Sequence, residues 1–170
     1  MPFFTNSENI VNTTGEKFEI IKDTKDVYFS CTQESATQIG RYRSDNYVSH
    51  MTTLLTESNY ANVLVSGLGL GVIPQWLCEN KNSLVDVVEI DTELVNAIKS
   101  MNYLHENINI VNADINSYST PVLYDLIYFD HWFFPGNSNY ESERNNLLNL
   151  FTANKKENGV IVFPVNNEIF

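Results

Sequence analysis

The chain has 170 residues, enough for one domain with a small appendage, and with 43% of them hydrophobic and 12% aromatic it can bury a real core. Its 21 acidic residues against 10 basic ones give a formal net charge of −11, which argues against a nucleic-acid partner, because that binding rests on Lys and Arg neutralising phosphates. Cys31 and Cys78 make neither a disulfide framework nor a zinc pattern, no metal site is expected, and no run approaches the ~20 apolar residues of a membrane span or the pattern of a signal peptide.

A soluble, cytoplasmic protein with two reduced core cysteines follows as the expectation, with a small neutral or cationic molecule as the partner that the acidic field suits. Along the chain, 17–22 and 26–31 alternate apolar and polar residues around a short polar break, which predicts a β-hairpin. Segment 46–57 carries Tyr47, Val48, Met51, Leu54 and Leu55 at helical spacing, with Asp45 as its cap. Residues 63–66 form a short apolar strand that ends in Gly67, Gly69 and Gly71 and leads into a helix, with Pro74 in the first turn. A second strand is predicted at 84–90 and a third at 108–111, joined by an amphipathic helix at 92–104 with Thr92 as its cap. A fourth strand at 123–129, a helix at 140–154 left at Gly159, and a fifth strand at 159–165 complete the series.

Strands that are continuously apolar and alternate with helices predict an α/β fold with a mostly parallel, Rossmann-like sheet covered on both faces. Residues 1–45 read as an N-terminal β-hairpin extension and 46–170 as the Rossmann-like domain. In such sheets ligands lie beyond the carboxyl ends of the strands. Those ends carry the glycines at 67, 69 and 71, then Glu89 with Asp91, then Asp114, then Asp130. Glycines let backbone approach a ligand closely. A carboxylate some twenty residues on, at the next strand end, can accept both ribose hydroxyls of a nucleoside. Asp91 caps the following helix by default. Asp114 either accepts the exocyclic amine of adenine or forms a turn. Asp130 and His131 are candidates for orienting or deprotonating an acceptor, and Trp132 and Phe133 for lining its pocket, against the alternative that these aromatics cover the core. His50, with Arg41 and Arg43, could close over the ligand from the N-terminal side.

VLVSGLGLG (63–71), VVEID (87–91), NADI (112–115) and YDLIYFD (124–130) together resemble the class I S-adenosylmethionine-dependent transferases, over about 26–165. Within them the chain is most similar to the polyamine (spermidine) synthase branch, through its V-E-I-D, its preceding hairpin, and the segment from Asp45 to His50. That resemblance implies S-adenosylmethionine or its decarboxylated form as cofactor, Glu89 as the ribose ligand, Asp114 at the adenine side, Asp130 as the residue assisting amine deprotonation, and His50 as a contact to the amino-acid part. The chain departs from the synthases at Leu70 and Phe133, where they carry Asp, and at Ser49, where they carry Tyr. The expectation is therefore a transferase moving a methyl group from S-adenosylmethionine to a small amine-type acceptor. Aminopropyl transfer and a non-catalytic nucleoside-binding module, in homodimeric form or not, stand as the alternatives. The usual sixth and seventh strands are expected to be missing or supplied elsewhere, a C-terminally shortened version of the sheet.

Overall fold

The computed structural model describes residues 7–22, 27–33, 36–43, 55, 58–130, 139–164 and 168–170, with backbone alone at 7, 31–33, 36–43 and 168. A short 3-10 turn at Ser7–Asn9 leads into strands β1 (Thr13–Thr14), β2 (Phe18–Lys22), β3 (Val27–Gln33) and β4 (Ala36–Arg43), which form an antiparallel sheet in chain order. The expected hairpin is β2–β3, with Phe18 paired to Cys31 and Lys22 to Val27. Strands β1 and β4 enlarge it beyond what alternation in the sequence indicated. The helix expected at 46–57 lies outside the described residues, apart from Leu55, which is fully buried.

The second sheet is built from β5 (Asn62–Ser66), β6 (Leu84–Glu89), β7 (Ile108–Asn112), β8 (Tyr124–Phe129), β9 (Lys155–Phe163) and β10 (Glu168–Ile169), in the order β10-β9-β8-β5-β6-β7. All pairings are parallel except β9 with β10. Among the described residues three helices lie between its strands: α1 (Val72–Lys81), α2 (Thr92–Met101) and α3 (Tyr140–Phe151).

Period-two alternation divides the apolar strand residues between two cores. Val63, Val65, Val87, Leu126 and Tyr128 face α1 and α2 in one cluster, which also takes in Ile10, Phe18, Ile20, Val27 and Phe29 of the N-terminal sheet. Leu64, Val88, Ile127, Phe129 and Phe163 face α3 in the other, where the Phe129 and Phe163 rings stack at 4.8 Å. Burying each such side chain is worth roughly 1.5–3 kcal/mol, which is why β5 reads as a continuous apolar run. The N-terminal sheet is also tied down by hydrogen bonds: Glu16 N–H donates to Glu93 Oε2 at 2.8 Å and Asn9 Nδ2 to the Asn102 carbonyl at 3.2 Å.

The structure corrects four details. Helix α2 begins behind Asp91, whose Oδ1 accepts from the N–H groups of Glu93 and Leu94, and Thr92 is its first residue rather than its cap. It ends at Met101 because Asn102 adopts φ 49°, a left-handed conformation that Asn tolerates better than most residues. Gly159 does not end a helix but lies inside β9, which begins four residues before it; a Cβ there would sit 2.7 Å from the Tyr124 carbonyl oxygen. Finally, a sixth strand, β10, pairs antiparallel with β9. Among the described residues no helix is long and apolar enough to cross a membrane.

Candidate functional site

Strand order reverses between β5 and β8, and the residues that leave these strands are brought side by side. Beyond β5 the alternation Gly-Leu-Gly-Leu-Gly has two separate purposes. Gly67, Gly69 and Gly71 take φ values of 95°, 47° and 69°, which L side chains rarely adopt. Leu68 and Leu70, 2% and 5% exposed, anchor the turn in the core. Gly71 N–H closes the turn on the Leu68 carbonyl at 2.7 Å, and α1 starts immediately after. Leu70 is thus a hydrophobic anchor, and the position where synthases carry an acid presents no polar group here.

Glu89 ends β6 and is 8% exposed. Its Oε2 accepts from Leu68 N–H and its Oε1 from Asp91 N–H, both at 2.8 Å, so one carboxyl group bridges the glycine turn and the entry to α2. Burial pushes Glu89 above the usual carboxylate range; the backbone N–H groups of Asp91, Leu68 and Ile90 oppose this and the nearby Asp91 charge adds to it. Between Glu89 and Asp91 the side chain of Ile90 is 67% exposed. Asn112, at the end of β7, holds this turn: its Nδ2 donates to the carbonyls of Glu89 (2.8 Å) and Ile90 (3.2 Å), and its Oδ1 accepts from Thr92 Oγ1 at 2.8 Å.

Asp114 is exposed and opens a turn, with Oδ1 accepting from Asn116 N–H at 2.9 Å and from Asn116 Nδ2 at 3.1 Å. Asp130 follows β8 directly, and its N–H donates to the Ser66 carbonyl at 2.8 Å. Burial pushes the Asp130 carboxyl well above the usual carboxylate range. Gly67, Gly69, Gly71, Glu89, Asp114 and Asp130 therefore lie along one edge, on the successive strand ends of β8, β5, β6 and β7. With strands about 4.8 Å apart, Asp130 and Asp114 bracket roughly 15 Å of that edge. His50, His131, Trp132 and Phe133 lie outside the described residues, and Arg41 and Arg43 are placed by backbone alone in β4.

Three contributors escaped the sequence reading. Ile90 looked like the last residue of an apolar strand, and Asn112 like a turn residue. Tyr103 looked like the last turn of a helix, yet it is fully buried beneath the glycine turn, with its hydroxyl donating to the Leu70 carbonyl at 2.8 Å. The Asn at 102 was the available signal, since Asn commonly ends helices in the left-handed conformation.

Opposite the cleft, Asp125 clasps the start of β5: Oδ2 accepts from Asn62 N–H (2.8 Å), Ala61 N–H (3.1 Å) and Lys156 Nζ (2.8 Å). Burial works to raise this carboxyl, but Lys156 and the two N–H groups together hold it below its ordinary value. In the core, burial pushes the Cys78 thiol up to about 12, so it remains protonated.

No family model matches the chain, and no curated protein matches it in sequence. Solved structures do share its fold. The N-methyltransferase NodS from Bradyrhizobium japonicum WM9, in complex with S-adenosyl-L-homocysteine, superposes with a TM-score of 0.54 at 16% identity, over 70% of this chain and 59% of NodS. Coclaurine N-methyltransferase, bound to N-methylheliamine and S-adenosylhomocysteine, gives 0.54 at 20% identity, over 69% of this chain and 33% of that one. The glycopeptide N-methyltransferase MtfA gives 0.51 at 14% identity, over 69% and 51%. The fold is thus the Rossmann-like class I methyltransferase fold, and the chain spans between a third and three fifths of these proteins. Nothing in these likenesses favours the polyamine synthase branch.

Proposed function

We propose that the chain binds S-adenosylmethionine along the edge from Asp114 to Asp130 and transfers its methyl group to a small amine-type acceptor. The observation that carries this is the arrangement at four adjacent strand ends, a left-handed glycine turn flanked by a buried Glu89 on one side and Asp130 on the other, on a methyltransferase fold. The names of the similar structures concern methylation at nitrogen, and two of those structures hold S-adenosylhomocysteine.

The residues present suit such a molecule. A carboxylate offers about four lone-pair sites, and Glu89 spends two on Leu68 and Asp91, leaving acceptor capacity for ribose hydroxyls. The exposed Ile90 offers an apolar surface to a flat base, and Asp114 keeps an acceptor for an exocyclic amine. When bound, S-adenosylmethionine supplies a methyl group activated by its sulfonium. The protein's contribution is chiefly to hold the acceptor in line, where orientation removes much of the barrier. Asp130, fixed beside Gly67 by its bond to Ser66, orients the acceptor amine and takes its proton, and burial raises its affinity for that proton. His131, Trp132 and Phe133 complete the acceptor side of this proposal, and His50 the amino-acid side of the cofactor.

The test is incubation with methyl-labelled S-adenosylmethionine and a panel of small primary and secondary amines. Labelled amine and S-adenosylhomocysteine are the expected products. Binding without turnover on any acceptor would leave a nucleoside-binding module and remove the transferase half.

A further inference from the structure

We infer that Tyr103 is a positioning residue for the glycine turn, acting through the Leu70–Gly71 peptide; this rests on the reading of that turn as cofactor-binding surface. A peptide between two glycine-supported left-handed positions, Gly69 at φ 47° and Gly71 at φ 69°, is the part of the backbone freest to rotate. Here it is held at both ends. Its carbonyl accepts from the Tyr103 hydroxyl at 2.8 Å and its N–H donates to the Leu68 carbonyl at 2.7 Å. The N–H of that same Leu68 binds Glu89, so rotating the Leu70–Gly71 peptide would disturb the carboxyl that faces the nucleoside.

The donor is itself locked. Tyr103 is 0% exposed, and burial pushes its phenol up, so the hydroxyl keeps its proton and remains a donor. The segment that carries it touches the loop and α1 twice more. Leu104 lies so close that a Cβ on Gly71 would come within 2.7 Å of its Cδ2. His105 N–H donates at 2.7 Å to Oε1 of the buried Gln75, whose Nε2 donates to Glu79 Oε1 at 2.6 Å. The chain leaving α2 is thus a buttress behind the turn, and Tyr103 is the member that reaches the ligand-facing backbone.

The experiment compares Tyr103→Phe with Tyr124→Phe. Tyr124 is a second buried tyrosine, 1% exposed, whose hydroxyl donates to Asp86 Oδ2 at 2.8 Å near the opposite end of the sheet, so its loss costs stability without touching the turn. Amide exchange of residues 69–72 in the ligand-free protein is expected to quicken by about fivefold or more in Tyr103→Phe, the scale of one lost hydrogen bond, and to stay within about twofold in Tyr124→Phe. Titration with S-adenosylhomocysteine is expected to weaken about five- to tenfold in the first variant only. Unchanged exchange in Tyr103→Phe, or equal effects in both variants, overturns the positioning role. Wild-type protein that takes up no S-adenosylhomocysteine overturns the cofactor reading instead, and the exchange comparison still decides the role of Tyr103.

Discussion

Asp130 donates its backbone N–H to the carbonyl of Ser66 over 2.8 Å, which continues the β5–β8 ladder one step past the last residue of β8. The bond fixes Asp130 beside Gly67 by main-chain geometry, and it does not depend on the identity of the side chain.

That separation gives a pH-dependent prediction. Burial raises the Asp130 carboxyl in the folded protein. The native state then favours the protonated form, so its contribution to stability is full below the ordinary carboxylate value of about 4 and is lost as pH rises through the raised value. Asp130→Asn should therefore unfold at a higher temperature than wild type at pH 8, with the gap closing towards pH 4, while methyl transfer falls. Thermal unfolding at the two pH values checks this, and a gap that widens on acidification would contradict it.

Asn112→Ala removes three side-chain hydrogen bonds from the turn that presents Glu89 and Ile90. Because Asn112 is exposed, water replaces part of what is lost, and a stability cost of roughly 1 kcal/mol is expected. Nucleoside affinity should fall by more than that modest cost suggests, because the Ile90 turn loses its fixed position. Denaturant titration and ligand titration of the same variant separate the two effects.

Gly71→Ala and Gly159→Ala make a contrasting pair. At Gly71 the backbone sits at φ 69° and a Cβ meets Leu104, whose side chain can move, so strain of about 1–2 kcal/mol is expected together with weakened ligand binding. At Gly159 a Cβ would lie 2.7 Å from the Tyr124 carbonyl, which cannot move without breaking β8 from β9. Gly159→Ala should cost about 2 kcal/mol or more and leave the affinity of the folded fraction unchanged. Equal affinity losses in the two variants would mean that the glycine turn has no special part in binding.

Asp125→Ala probes the far end of the sheet. It releases two N–H groups at the start of β5 and the ion pair to Lys156. Partial exposure limits the loss to roughly 1–2 kcal/mol, seen as a lower denaturant midpoint, with transfer activity per folded molecule unchanged.

The parallel sheet was legible because β5, β6 and β8 are buried on both faces and so read as apolar runs, and the residues at their ends could be named from spacing alone. Less legible was whatever depended on one residue's backbone. Asn102 ends α2 by adopting a left-handed conformation, and without it Tyr103 reads as helix rather than as a buttress. Lys155 to Asn158 are polar, so the first half of β9 looked like loop, and the two residues of β10 are too few to show a period. Leu70 looked like a lost ligand, and only its burial shows that it anchors the turn. The acceptor side is proposed on Trp132 and Phe133, whose side-chain chemistry is plain in the sequence but whose placement no periodicity encodes.

The most direct measurement is calorimetric titration of the wild-type protein and Glu89→Ala with S-adenosylmethionine, S-adenosylhomocysteine and NAD. Micromolar binding of the two adenosyl compounds, with NAD inert and affinity at least about a hundredfold lower in the variant, is the predicted result, since two hydrogen bonds to a charged group are removed. Absence of binding by the wild type, or binding that survives the loss of Glu89 undiminished, would contradict it.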